Sequence, residues 1–529
     1  MRLLTQALWR LSERYLGGIP VDRVTTIVAV LLSYALAHVF QRIPPRMSGA
    51  KHLFSIATTV LLFGIVQEQY LGLLHLAAGS VVIYVLMRSM RGAYMPQTVF
   101  LVAMLHLSFS HIRRQLHERN SGRVELDYTG AQMVFVIKAT SLAFCIHDGR
   151  RSLSRSASAA LTEYQRKNAI AQVPDLLEYL GYIFFFPGFA VGPAFEMATY
   201  RQMVHLDNRH ARRQLAVRAY RKLAESLFWM SVYVAYSSSF TFADLAIPQF
   251  YARRSFISAA LYLCTTGVVV RAAYYTAWKM SEGACILTGL GFDGYDEHGN
   301  SRWMEIANIR VRDVELGSSI KQLIDSWNIG TNTWLRHHIY LRLIPPSATG
   351  RHVPSTRASV LTFLVSAWWH GFYPGYYLTF VLGALAASSA RTLRRNLHLL
   401  VALPPNAKAS SGHALQIAIK AVYDVCGWAM SKYTLDFVVA PFMLLALRPA
   451  LLMWKLNYYA VPLGILAIFV LFNLLGVGRY LRQMVGIPQQ PQQQLGSLSR
   501  TKEILQAPTG APRNASDMDM KENVHQKGA

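Results

Sequence analysis

An all-α, polytopic transmembrane helix bundle is the fold class this sequence predicts, and three observations predict it. Hydrophobic residues make up 53% of the chain and charged residues only 15%, against about 25% charged in soluble domains. The apolar residues come in long unbroken blocks, not in the alternating pattern of a barrel strand. The basic residues fall largely in short connectors between those blocks.

Near the N-terminus, Arg2 and Arg10 precede no short apolar core with a cleavage site. The first block, from Val24, is therefore expected to act as an uncleaved anchor. Val24 to Gln41, Gln69 to Met87, Gly92 to Ile112 and Leu456 to Gly478 carry no Asp, Glu, Lys or Arg. Each is long enough to cross a bilayer as a helix, which takes about 20 apolar residues. Ser226 to Ala243 and Ser255 to Val270 are shorter; they span, tilt or lie among neighbours. The length criterion gives roughly ten spanning or re-entrant segments. One membrane domain, residues 1–481, is expected. The tail of residues 482–529, with Gln489, Gln490, Gln492, Gln493 and Gln494 among prolines, lacks the apolar content for a core and is predicted disordered.

The net charge of +25 raises nucleic acid as a partner, but the distribution excludes it. Arg42, Arg46 and Lys51 form one group; Arg113, Arg114 and Arg119 a second; Arg209, Arg212, Arg213, Arg218, Arg221 and Lys222 a third. Such clusters mark cytoplasmic connectors facing anionic lipid, and a polyphosphate co-substrate is their other use. Arg201 to Lys222 reads as an interfacial or cytosolic helix. Cys145, Cys264, Cys285 and Cys426 have no CxxC or framework spacing and read as small buried hydrophobes, not disulfides or metal ligands.

Two features break the hydrophobic pattern in a way that points to chemistry. Gly289 to Arg342 is a long polar stretch ending in Trp327-Asn328-Ile329-Gly330-Thr331-Asn332-Thr333-Trp334-Leu335, and polar loops of that length are usually functional. Shortly after it, Ala358 to Ala390 contains no Asp, Glu, Lys or Arg. As one helix it would be about 50 Å long, well beyond a bilayer core of about 30 Å. Gly371-Phe372-Tyr373-Pro374-Gly375 supplies the break, so two helices meet there and Trp368-Trp369-His370 ends the first. An ionisable group inside a membrane domain is a functional candidate by default. The bland reading of His370 is a side chain hydrogen-bonded to a neighbouring helix. Its place at a helix break, its aromatic flanks and the Asn-rich loop upstream favour a base instead.

Trp369-His370-Gly371, with Gly375-Tyr376 and Phe380 following, resembles the signature of lysophospholipid-specific membrane-bound O-acyltransferases. Trp327-Asn328 with Thr331-Asn332-Thr333-Trp334-Leu335 is similar to that family's second catalytic segment. Phe184-Phe185-Phe186-Pro187 with Gly192-Pro193-Ala194-Phe195-Glu196 resembles its upstream signature. Gly289-Leu290-Gly291-Phe292, Gly294-Tyr295 and Arg302-Trp303 look most like the broad-specificity fungal and algal-type members. The matches run in the family's order from about Gly130 to Phe380. Two departures stand out: Trp303-Met304 with the acid one place later at Glu305, where many relatives have Trp-Asp, and a longer connection around Pro345 to Arg351.

The resemblance implies a bundle around a tunnel, acyl-CoA entering from the cytosolic side, and a lysophospholipid reaching it through a lateral or lumenal opening. It implies His370 as catalytic base and Asn328 as its polar partner, with Asn332 the alternative. Trp327, Trp334, Arg336, Trp369, Gly371, Gly375, Tyr376 and Phe380 become substrate-binding candidates. Arg336, His337, His338 and Arg342 are candidates for the CoA phosphates or for a positive helix end. His337-His338 is a poor metal pair because adjacent helical residues do not share a face. Lys138 reads as a snorkelling lysine, Glu178 and Glu196 as boundary charges, and Phe184 to Phe186 as packing. No metal or redox cofactor is called for, since acyl-CoA is a co-substrate, and the endoplasmic reticulum is the expected location in a eukaryote. The rivals are transfer to a sterol, diacylglycerol or protein, and a transporter with His370 as proton relay. The last predicts internal repeats and further intramembrane acids.

Overall fold

The computed structural model describes residues 2–15, 20–122, 127–153, 161–207, 209–299, 301–304, 306–344, 355–401 and 414–484. The expected tail from residue 485 on, Glu305, and the longer connection at 345–351 lie outside the described residues.

The chain is built from helices, with one small two-stranded hairpin. The helices of the first half are α1 (Arg2–Tyr15), α2 (Val21–Phe40), α3 (Ser48–Thr59, continued by a wide turn to Val66), α4 (Tyr70–Ser89), α5 (Met95–Ser121) and α6 (Thr129–Ser152). Short helices α7 (Glu163–Asn168), α8 (Leu176–Ile183) and α9 (Met197–His205) lead to the long pair α10 (Arg212–Tyr236) and α11 (Phe256–Leu287). The polar stretch then forms β1 (Phe292–Tyr295) and β2 (Ser301–Trp303), paired antiparallel, and α12 (Val311–Leu316), α13 (Ile320–Ser326) and α14 (Ile329–Trp334). The last helices are α15 (Thr356–His370), α16 (Pro374–Val401), α17 (Ala414–Leu444), α18 (Leu447–Leu456), α19 (Ala460–Phe469) and α20 (Val477–Met484).

Among the described residues, six helices are long and apolar enough to cross a membrane: α2, the Pro45–Val66 unit, α4, α5, α6 and α11; α18 and α19 make a further pair bent by 75°. The helical, multispanning expectation holds, with these spans where roughly ten spanning or re-entrant segments were expected. The block from Leu456 does not run straight, because Tyr458 and Tyr459 take positive φ between α18 and α19.

Two sequence expectations give way to longer helices. Ser255 to Val270 looked short because Arg271 follows it, yet α11 continues to Leu287. It can do so because Arg271 is ion-paired inside the bundle with Glu315 and Asp436, which removes the penalty of an isolated buried charge. Arg201 to Lys222 is not a separate interfacial helix. Its second half opens α10, which runs antiparallel to α11, with Ser226 Oγ donating to Thr276 O (2.7 Å) and Ala219 O lying against Gly283.

Contacts along the helices give the two ends of the bundle. Arg150 of α6 donates to the Met87 and Met90 carbonyls at the end of α4. At the opposite end, Gly72 of α4 lies against Tyr128, beside the start of α6. Gln41, just past α2, donates to Leu287 O at the end of α11. One end therefore gathers Arg42, Arg46, Arg88, Arg91, Arg150, Arg151, Arg212 and Arg213. Arg113, Arg114 and Arg119 were grouped with these in the sequence as cytoplasmic connectors. They sit instead toward the end of α5, where Arg114 pairs with Glu118 (2.7 Å) and lies 3.9 Å from Asp127.

Candidate active site

α15 starts on a Ser355 cap, whose Oγ accepts from Ala358 N–H, and stops at His370 because Gly371 takes φ 121°. That conformation is open essentially to glycine alone. A Cβ on Gly371 would also sit 3.2 Å from the His111 ring. The expected break therefore exists, and α16 resumes at Pro374. Gly375 N–H donates to Leu445 O (2.8 Å), and a Cβ there would lie 2.0 Å from Pro441 O. Only glycine lets the start of α16 meet the end of α17 this closely.

His370 sits in an aromatic enclosure. Its ring stacks on Phe380 (5.2 Å, 26°), meets Phe442 edge-on at 5.0 Å, and has Trp369 at 4.7 Å and Tyr376 at 5.8 Å. Among the described residues neither ring nitrogen has a hydrogen-bond partner, which disposes of the bland reading of a histidine bonded to a neighbouring helix. The side chain is surrounded by these rings yet not fully buried. Trp369 is fixed by Nε1–H donation to Met133 O (3.1 Å), and His111 Nε2 lies 3.0 Å from Trp369 O. Trp368 Nε1 donates to Ser108 Oγ (2.7 Å). α5 and α6 thus set the position of the Trp-Trp-His end.

The second segment packs alongside. Trp334 of α14 lies 6.1 Å from Trp369 and donates through Nε1 to Thr140 Oγ1 (2.9 Å). At the other end of α14, Asn328 takes a left-handed conformation (φ 44°, ψ 55°), which asparagine tolerates better than most residues. Its Oδ1 accepts from the Thr331 hydroxyl (2.9 Å), and among the described residues its amide NH2 donates to nothing. Asn332 differs: its Nδ2 donates to Ile324 O (3.3 Å) and closes the end of α13. The amide with free donors is that of Asn328. Trp327 packs on Trp278 (5.0 Å) and Tyr274 (5.4 Å).

The remaining candidates divide. Arg342 forms a two-pronged pair with Asp148 (2.8 and 2.5 Å), His338 lies 3.1 Å from Glu196, and His337 stacks on Tyr164 at 3.7 Å. These three anchor the chain after α14. Arg336 alone of the four is exposed and without an acidic partner among the described residues. Glu196 is not a boundary charge: it accepts from Tyr164 (2.7 Å) and contacts His338 and Cys145. Burial alone would raise its carboxyl, but His338 and the hydrogen bonds hold it below its ordinary value. Cys145, Glu196 and His338 have ligand-type atoms within 4.8 Å of one another; Glu196 is engaged at the same time by the Tyr164 hydroxyl, and no ion is assigned to the group. Glu178 forms a bidentate pair with Arg201 (2.7 and 2.9 Å). Lys138 does not snorkel: it is buried, donates to Tyr182 O and lies over the Tyr182 and Phe195 rings. The Phe184 to Phe186 cluster is packing, with Phe185 and Phe186 against Phe40.

Sequence reasoning missed His111, Phe442 and the ionic group behind Trp327. Nothing local marks the first two, since a lone His and a lone Phe in apolar helices are commonplace. The third had a signal, because Arg271 interrupts an apolar run and Asp436 and Lys432 interrupt another. Arg271 pairs with Glu315 (2.8 Å) and Asp436, Lys432 donates to Glu315 (2.5 Å), and the Tyr275 hydroxyl donates to Glu315 (2.5 Å). Tyr275 and Val314 then pack with Trp327.

Comparison with known proteins shows the family of the chain. A family model described as MBOAT, membrane-bound O-acyltransferase family, matches residues 95–439. The chain is similar to a lysophospholipid acyltransferase of Schizosaccharomyces pombe, with 31% identity over 86% of this chain and 87% of that protein. It is equally similar to one of Saccharomyces cerevisiae, with 31% identity over 96% and 83%. Membrane-bound glycerophospholipid O-acyltransferase 1 of Homo sapiens is 29% identical over 85% and 88%. The family match covers more than half of the chain and includes both the Asn328 and the His370 segments, so this integral membrane protein belongs to the membrane-bound O-acyltransferase family.

Proposed function

We propose that the protein is an acyl-CoA-dependent lysophospholipid acyltransferase, with His370 as general base and Asn328 as carbonyl-side partner. The observation that carries the reading is the imidazole of His370 at the Gly371 break, unbonded among the described residues and not fully buried. A glycerol hydroxyl is a poor nucleophile until a base takes its proton. His370 accepts that proton as the hydroxyl oxygen bonds to the thioester carbon. The C–S bond then breaks, and the proton passes from the imidazolium to the leaving thiolate. The products are a diacyl phospholipid and free CoA, with no metal or redox step. The free amide donors of Asn328 suit the oxygen that gains charge in between, a contribution of about 2–4 kcal/mol for a good donor. Phe380, Phe442, Tyr376 and Trp369 exclude water from the imidazole, so that hydroxyl rather than water is acylated. The lysolipid acceptor is supported by the names of the relatives and by the Gly375, Tyr376 and Phe380 pattern. Arg336 is the remaining cation of its segment for a CoA phosphate, and the endoplasmic reticulum is the membrane we assign.

The test is acyl transfer from labelled oleoyl-CoA to a panel of lysophospholipids, sterol and diacylglycerol, using microsomes that contain wild type, His370→Ala or Asn328→Ala. Lysolipid acylation lost in His370→Ala at equal protein level supports both reaction and base. Acylation of another acceptor alone rejects the substrate, and full activity of His370→Ala rejects the mechanism.

A further inference from the structure

Several cations of this chain pair with carboxylates: Arg114 with Glu118, Arg201 with Glu178, Lys222 with Glu282, Arg271 with Glu315 and Asp436, Arg342 with Asp148. The buried Lys51 and Lys138 donate instead to the Val204 and Tyr182 carbonyls. One group of arginines has neither arrangement in full. Where α2 ends and α10 begins, a cavity of about 240 Å³ is lined by His38, Gln41, Arg42, Arg212 and Arg213. Among the described residues no carboxylate pairs with any of these three arginines. Arg212 is held from one side, donating through Nη2 to Gln41 O (2.9 Å), while its buried Nε has no partner. Gln41 is itself fixed by donation to Leu287 O, and His38 lies 3.1 Å from the Tyr220 hydroxyl. One wall is therefore set by Gln41, Arg212 and His38, and with the exposed Arg42 and Arg213 three guanidinium groups around one opening repel each other until an anion enters.

From this we infer that the cavity is a binding site for a phosphate group, and specifically for the headgroup phosphate of an anionic phospholipid. Arginine's planar fork of donors matches phosphate oxygens. The cavity lies just past the apolar span of α2, at the basic end of the bundle, where a lipid headgroup sits. Beside it Val39, Val217 and Tyr220 leave an apolar surface exposed, suited to the acyl chains of the same lipid. A soluble phosphate has no use for that surface. The site is also separate from the catalytic region. It adjoins the end of α11, whereas His370 is set by His111 and Met133, toward the end of α5 and the start of α6. The inference does not depend on the acyl-transfer reading.

The test uses the purified full chain in neutral detergent, titrated with dioleoyl phosphatidic acid, with dioleoyl phosphatidylcholine and with CoA, and read by thermal shift. The cavity variant combines Arg42→Gln, Arg212→Gln and Arg213→Gln. A control variant neutralises three exposed cations of the same end, Arg88→Gln, Arg91→Gln and Arg151→Gln. Phosphatidic acid should stabilise the wild type and the control at similar concentrations, and the cavity variant only at concentrations on the order of 100-fold higher. The exposed Arg213→Gln alone should shift the midpoint by roughly fivefold, which keeps the test open if the triple variant does not fold. Equal weakening in cavity and control variants would mean diffuse surface attraction and overturns the site. An arginine-dependent shift with CoA and none with phosphatidic acid keeps a phosphate site but overturns the lipid as its occupant. No arginine-dependent shift with either overturns both.

Discussion

Asn328 combines a left-handed backbone with an amide that has unused donors, and the two properties separate by substitution. Asn328→Gly keeps the backbone free of strain and removes only the amide. It should fold normally and lose about 100- to 1000-fold in kcat, the range for an oxyanion donor. A loss confined to KM would place the residue in substrate binding instead. Asn332→Ala removes a bond that closes α13, so it should lower thermal stability more than turnover at saturating substrate. Gly371 makes a different point. Its φ is 121°, and a methyl group on it would meet the His111 ring at 3.2 Å, so Gly371→Ala should rotate the His370 end of α15. Activity should then fall at least tenfold with helix content unchanged by circular dichroism. His370 was legible in the sequence because an ionisable side chain in an apolar hairpin is conspicuous, and Asn328 because its segment resembles the family's second catalytic segment. His111 and Phe442 were not, since their importance lies in which helix faces which.

At the scale of elements, the ionic group of Arg271, Glu315, Lys432 and Asp436 joins α11, α12 and α17 behind Trp327. Breaking one member leaves a buried cation short of charge. Glu315→Gln should destabilise the protein by about 3 kcal/mol, measured by thermal or denaturant unfolding in detergent. Burial pushes the Glu315 carboxyl up, but Arg271 and Lys432 hold it down at about 2, below its ordinary 4.5. Because the folded value is the lower one, this carboxylate's stabilisation is complete at neutral pH. It is lost as the pH falls from about 4.5 toward about 2. Unfolding scans of wild type against Glu315→Gln should therefore converge at the acid end and differ most near neutrality. A constant difference across that window would remove Glu315 as the titrating group. The pairing also explains why the sequence ended a span at Val270. Hydropathy counts Arg271 as a stop, and only the packed bundle supplies the carboxylates that let the helix go on.

For the whole molecule, the alternation of α2 to α6 and the antiparallel α10 and α11 collect Arg42, Arg46, Arg88, Arg91, Arg150, Arg151, Arg212 and Arg213 at one end. The positive-inside tendency assigns that end to the cytosol. In a Cys426→Ser background, Arg88→Cys should label with a membrane-impermeant maleimide once the plasma membrane alone is opened. Asn120→Cys, exposed in the last turn at the other end of α5, should label only after the internal membrane is also opened. The reverse pattern would invert the topology.

The sequence by itself determined the helical membrane class, the break at Gly371 to Gly375 and the two segments carrying Asn328 and His370. Those properties are written in runs and spacings, and hydrophobic length, glycine and proline act locally on the chain. Tertiary structure alone decided that Trp334 packs on Trp369, that Asn328 rather than Asn332 keeps free donors, and that Arg342, His338 and Glu196 serve as anchors. It also decided which arginines meet a carboxylate and which, at the end of α2, do not. Such outcomes depend on which helices become neighbours, and pairwise contacts between distant residues leave no periodic trace in the order of the chain.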